Sequence, residues 1–414
     1  MKKILCLICL FSVSFYSCAV RNYLGSQSGL SEDRVFYAQM INNGNTYGWF
    51  NIPAHLLKVS DNLAIYLQNG QNVSAYALNK LAQEFDYYYT SMTNIYGTHS
   101  DIDANGKIII LLMDINKTKG SGSQVLGYFN PSDMHGNNKG EILYMDISNA
   151  NNKTDNAIGT IIHEFQHLIN YSYVISGERN EMSSWLNEAL SESTSILFNK
   201  ATTESRINEF NKINYYCFYT WNTSNISNNN KNNTHVNYPS ASVFMHWLYQ
   251  KNGSNDSIFK TIASSKELGD YNKVLSAAKG ISGLSGATWD SLLLDWMSEI
   301  VTNGNNWKTT NKPTNNCASG DVNLYPGAMV VCDSYTNGAS GNIVTNKVNG
   351  GSGKTIVLNK DTTLGKGATS VKVSVTSSTS SKARTRRSAI RNDNNEESRD
   401  INILLDRNGN IKKD

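Results

Sequence analysis

Between Thr154 and Ile175, the apolar residues Ile158, Ile161, Ile162, Phe165, Leu168 and Ile169 recur at helical spacing, and two histidines stand among them. Thr154 or Asp155 can cap the start of this helix, and Gly177 marks its stop. Any fold for this chain must bury the apolar face while leaving room beside His163-Glu164-Phe165-Gln166-His167. Residues four apart lie one turn apart on one face, so His163 and His167 form a clip that can grip a single ion. Zinc takes neutral imidazole nitrogens, and its catalytic sites keep one position open for water beside three protein ligands. Glu164, next to that open position, is placed to take a proton from the attacking water and pass it to a leaving amine.

The chain has only seven histidines, so such a motif arises by chance on the order of once in a hundred sequences of this kind. Context strengthens it. Twenty residues, 168–187, separate His167 from Glu188 in a second helical segment, Trp185-Leu186-Asn187-Glu188-Ala189-Leu190-Ser191-Glu192. That separation lets the first helix end and the chain turn back. Glu188 supplies the missing carboxylate ligand, and Glu192, one turn on, is spaced to hydrogen-bond a ligand histidine and fix its tautomer.

Around these segments the pattern is strands, then helices, then short strands. Helical spacing over Ser74–Tyr96 is followed by apolar strand candidates at Lys107–Ile115 and Glu141–Ile147. Helices are predicted at Ser183–Asn199, Ser240–Gln250, Ser257–Ser265, Asn272–Ala278 and Trp289–Val301. Beyond Trp307 come alternating runs at Ala328–Val331, Asn342–Val348, Thr355–Leu358 and Ser370–Val375. Residues 376–400 are rich in Ser, Arg and Asn and short of apolar surface, with Lys382, Arg384, Arg386 and Arg387 as a solvated linker or a processing site. A short strand is predicted at Ile401–Leu405.

The downstream glutamate resembles the gluzincin arrangement. Together, the two motifs resemble the hyicolysin family of bacterial neutral zinc metallopeptidases, as do Asp101-Ile102-Asp103-Ala104-Asn105-Gly106-Lys107 and Gly127-Tyr128-Phe129 upstream and the segment Tyr238–Tyr249 downstream. The likeness covers roughly residues 75–300. It implies an α+β, thermolysin-like catalytic domain, a zinc ion on His163, His167 and Glu188, and peptide hydrolysis through a metal-activated water with Glu164 as general base. Asn187 accompanies the ligand in that family, which favours Glu188 over Glu192. Where gluzincins often carry aspartate in the outer shell, this chain has Glu192. Metzincins are disfavoured, since Asn170 and Tyr173 occupy the places where glycine and histidine are needed.

The expected organisation is therefore a signal peptide over residues 1–18, a zinc endopeptidase domain over 35–305, a small C-terminal β domain over 307–375, and a linker with a terminal strand over 376–414. Tyr238 or His235 is a candidate donor to the oxyanion of the tetrahedral intermediate, with Tyr238 preferred. Asp101, Asp103 and Asn105 carry the alternating oxygens and following glycine of a calcium loop, but Leu112 stands where an EF-hand supplies its bidentate glutamate. A polar turn accounts for them, and Ca2+ is carried forward only as a second cofactor.

Met1-Lys2-Lys3 and the apolar run Ile4–Tyr16 have the form of an export signal, too short to span a bilayer. Ser17-Cys18 resembles a relaxed lipobox, so Cys18 is the candidate lipid acceptor; cleavage after Ala19 is the rival. The chain is thus expected to be exported, as a cell-envelope lipoprotein or a secreted protein, with protein or peptide substrates. Membrane contact is expected only through Cys18. Its net charge of +3, from 37 basic and 34 acidic residues, offers no field for nucleic acid. Cys317 and Cys332 could close a short disulfide loop, with Cys217 left over. The rival class is a surface adhesin or binding lipoprotein retaining a protease fold. Intact Glu164 argues against it.

Overall fold

Six consecutive apolar residues, Ile108-Ile109-Ile110-Leu111-Leu112-Met113, have no polar side to turn to water, so as a strand they must be covered on both faces. The computed structural model describes residues 30–119, 123–218, 234–307, 320–336, 342–348, 353–360, 371–376 and 399–401. In it this run is a central strand, and every residue is buried. The described residues are mixed α+β and divide into two compact units.

The first unit takes in residues 30–90, 99–168 and 399–401. Its six-stranded sheet contains β1 (Asp33–Asn42), β2 (Asn45–Val59), β3 (Leu63–Gln68), β4 (Ile108–Met113), β6 (Gly127–Phe129) and β7 (Ile142–Asp146). They lie in the order β1-β2-β3-β4-β7-β6. Strands β1 to β3 form an antiparallel meander, β3, β4 and β7 run parallel, and β6 is an antiparallel edge. Asn43 and Gly44, at φ 49° and 74°, make the β1–β2 turn with the left-handed backbone that matches strand twist. Sequence patterning located β4 and β7 but not β1–β3.

One face of this sheet buries Phe36, Ala38, Tyr66, Leu111, Tyr128 and Tyr144 together. Helix α1 (Ala75–Tyr96) is tied to the sheet by Asp86, whose Oδ1 accepts from Asn62 N at 2.9 Å. A short helix α2 (Ile147–Asn152) leads into α3 (Thr154–Ile175), whose bounds match those predicted. The tail returns: β15 (Arg399–Ile401) pairs in parallel with β5 (Ser123–Val125). This is close to the terminal strand expected at Ile401–Leu405, most of which lies outside the described residues.

The second unit, residues 91–98 and described residues from 169 to 376, holds α4 (Ser184–Phe198), α5 (Lys200–Phe210), α6 (Thr234–Lys251), α7 (Ser257–Ser264), α8 (Asp270–Lys279) and α9 (Trp289–Asn303). Five of the six fall on predicted helices. The sixth, α5, was not anticipated, because its few apolar positions leave it mostly polar. Aromatic rings fill the core: Phe218 stacks on Phe244 at 5.0 Å, Trp185 meets Tyr271 at 5.1 Å, and Phe244 meets Trp296 at 5.4 Å. Strands β10 (Met329–Cys332), β12 (Ile343–Lys347) and β13 (Thr355–Asn359) join β8 (Tyr215–Tyr216) in one sheet. A second sheet holds β9 (Gly320–Leu324), β11 (Ser334–Thr336) and β14 (Val371–Thr376).

Cys217 and Cys332 are buried thiols, and Cys332 Sγ donates to the Thr355 carbonyl oxygen at 3.7 Å. Cys317, its expected disulfide partner, lies outside the described residues, as do Cys18 and the export signal. Among the described residues no helix is long and apolar enough to cross a membrane.

Candidate metal centre

Helix α3 is set in rotation by Phe165. Its ring packs against Phe85 at 5.1 Å, Tyr89 at 5.7 Å and His99 at 5.7 Å, so α1 and the loop after it grip one side of the helix. At about 100° per residue, Phe165 lies nearly opposite both His163 and His167, which therefore point away from that aromatic pocket. Burial holds the His99 imidazole below its ordinary pKa, favouring its neutral form within the cluster.

His163 and His167 are each only 2% exposed, and their Nε2 atoms approach to 3.2 Å. Glu188 on α4 has no exposed surface. A ring nitrogen from each histidine and a carboxylate oxygen of Glu188 all lie within 4.8 Å of one another. Two imidazoles and a carboxylate are the nitrogen and oxygen donors zinc accepts in three-ligand catalytic sites. A buried carboxylate beside them is also the charge a divalent cation neutralises. The donor set fits zinc.

Two features position α4. Ser183, before its first turn, donates from N and Oγ to Asp270 Oδ2 at 2.7 and 2.5 Å. Asn187, next to Glu188, accepts at Oδ1 from Asn170 Nδ2 at 2.6 Å. In the sequence Asn170 bears only on the exclusion of metzincins. Here it holds the residue beside the candidate ligand.

Glu164 is fully buried, and its Oε2 accepts from the backbone N–H of Phe129 at 2.9 Å. That contact depends on how closely β6 approaches α3. A Cβ on Gly127 would stand 2.7 Å from Thr160 Cγ2 and 2.7 Å from the Tyr144 carbonyl oxygen. Tyr128, between them, stacks on Tyr144 at 4.4 Å and donates from its hydroxyl to Gln39 O at 2.9 Å, fixing the strand. Gly127→Ala is therefore expected to push β6 off the helix and destabilise the protein by about 1–3 kcal/mol, the usual penalty of overpacking. Denaturant unfolding checks this, and an unchanged midpoint would show that β6 has slack.

Glu192 is 1% exposed and engages Arg206 of α5 in a fork: Nε to Oε2 and Nη2 to Oε1, both at 2.9 Å. Burial by itself would depress the guanidinium pKa, but the charges of Glu192 and Glu209 outweigh it and raise the pKa. The Arg206 guanidinium lies over the ring of Tyr238, 4.6 Å from its centroid, and Tyr238 is 2% exposed. Beside the role expected for it at a ligand histidine, Glu192 thus holds an ion pair. Its partner was invisible in the sequence because α5 was not foreseen. His235 stands in the first turn of α6, and its side chain falls outside the described residues.

No profile of a known protein family matches the chain. Native leukotriene A4 hydrolase from Saccharomyces cerevisiae superposes with a TM-score of 0.30 at 14% identity, covering 56% of this chain and 38% of that one, too loosely to carry an argument. The neutral metalloprotease ShpI of Staphylococcus hyicus is 27% identical over 216 residues, 47% of this chain and 49% of that protein. The chain spans about half the length of this curated relative, and over that half what it resembles is a neutral metalloprotease.

Proposed function

We propose that the chain is a zinc-dependent endopeptidase of gluzincin type that cleaves extracellular proteins. The observation carrying this is the convergence of His163, His167 and Glu188 within 4.8 Å, with Glu164 next to His163 on the same helix. When bound, zinc polarises the scissile carbonyl and lowers the pKa of a water. His163, His167 and Glu188 hold the ion. Glu164, steadied at Oε2 by Phe129 N, takes the proton from the attacking water and returns it to the leaving nitrogen. Tyr238 is the proposed donor to the oxyanion.

Digestion of a peptide library, with fragments mapped by mass spectrometry, tests the reaction. Internal cleavages are expected, lost with a zinc chelator and restored by added zinc. Trimming confined to chain ends would replace the endopeptidase with an exopeptidase, and no cleavage by zinc-loaded protein would remove the enzymatic proposal.

We also propose export by the N-terminal signal with lipidation at Cys18, on the strength of a cysteine at the end of an apolar leader. The mature N-terminal peptide is expected to carry acyl chains on Cys18. An unmodified terminus at Val20 would instead mean simple secretion.

A further inference from the structure

Away from the histidines, the loop entering β4 carries Asp101 and Asp103, and Glu141 immediately precedes β7. Strands β4 and β7 are parallel neighbours, and Ile109 N donates to the Glu141 carbonyl oxygen at 2.8 Å. Glu141 is thereby brought beside the loop. One carboxylate oxygen from each of Asp101, Asp103 and Glu141 lies within 4.8 Å of the other two. We propose that these three carboxylates bind one hard divalent cation, calcium.

Acidic clusters on a surface are common, and Glu141 sets this one apart. It has no exposed surface. Its Oε1 accepts from Ser100 Oγ and Ile102 N, both at 2.8 Å, while Oε2 is buried without a hydrogen-bond partner. Leaving a charged oxygen buried and unsatisfied is costly, and a cation removes that cost. Space for the group is kept by Gly140, where a Cβ would stand 2.8 Å from Asp103 Oδ2.

The nearby positive charge is Arg34, whose Nη1 is 3.9 Å from Asp103 Oδ2 and whose Nη2 donates to the Asn138 carbonyl oxygen. One guanidinium at that distance leaves three clustered carboxylates under-neutralised. An all-oxygen donor set with an exposed member, Asp101, suits calcium, which takes six to eight oxygens and fills the remainder with water. The glutamate that an EF-hand would place at Leu112 comes instead from the residue just before the neighbouring strand β7. The ion would pin the entrance of β4 to the start of β7, the strand that pairs with β6 and so supports the Phe129 contact.

The test is calcium titration of the full-length, zinc-retaining protein, followed by calorimetry and thermal melting. Expected are one equivalent bound with a Kd below about 1 mM, a rise in Tm of several degrees, and magnesium weaker by about tenfold or more. Asp101→Asn, at an exposed position, should weaken calcium binding at least about tenfold while leaving the calcium-free Tm intact. Glu141→Gln should abolish binding; if that variant does not fold, Asp101→Asn decides. No calcium-linked heat or Tm shift at about 10 mM, or wild-type affinity in Asp101→Asn, would overturn the proposal.

Discussion

Glu164→Gln is expected to bind zinc as the wild type does and to cleave peptides about a hundredfold or more slowly. The variant is informative because the geometry can survive it. A carboxamide oxygen can still accept from Phe129 N, which lies 2.9 Å from Glu164 Oε2, so the side chain keeps its place on α3. What it loses is the ability to take a proton from water near neutral pH. Glu164→Ala would lose the Phe129 anchor as well and would confuse the two effects. Metal analysis beside kcat/KM decides: a zinc-replete glutamine variant with substantial turnover would remove Glu164 from the reaction.

The second large effect separates Glu188 from Glu192. Glu188→Ala is expected to fold, to purify largely without metal and to be inactive, because it leaves two imidazoles where zinc needs three protein ligands. Glu192→Ala is expected to fail differently. Arg206 is 13% exposed and held by both Glu192 oxygens. Removing that partner leaves the guanidinium with only the more exposed Glu209, 3.1 Å from Nη1, so the expected cost is about 3 kcal/mol, the low end for breaking a buried pair. Its signature is a lowered unfolding midpoint at any zinc concentration. A stable Glu192→Ala that regains activity with added zinc would make orientation of a ligand histidine its main role; a zinc-replete Glu188→Ala would displace Glu188.

What could be read from residues alone follows from how the information is stored. The bounds of α3 and the facing of His163 and His167 are periodic, local properties, so the sequence pattern locates them. Glu188 needed one more step, a second helix at a plausible distance. The Phe129 N–H on Glu164 has no side-chain signature, since any residue but proline offers the same donor. Only Gly127, required by a 2.7 Å approach to Thr160, leaves a trace. In the sequence Glu141 is no more than the start of a strand, because its relation to Asp101 and Asp103 arises only when β4 and β7 pair. The meander β1–β3 went unseen although Asn43-Gly44 is a strong hairpin signal. The mostly exposed first half of β2 offers little of the apolar alternation by which strands are recognised.

The parallel pairing of Arg399–Ile401 with Ser123–Val125 involves a strand too short to bind tightly on its own. A strand of three residues has little affinity for its partner as a separate peptide. Joined to the chain, it meets that partner at an effective concentration set by the linker, so pairing needs only a small favourable free energy. A cut at Lys382, Arg384, Arg386 or Arg387 would leave both paired segments, Arg399–Ile401 and Ser123–Val125, covalently intact, yet it would turn a unimolecular equilibrium into a bimolecular one. The edge at β5 would then be vacated on dilution and refilled by added peptide, making its occupancy depend on peptide concentration.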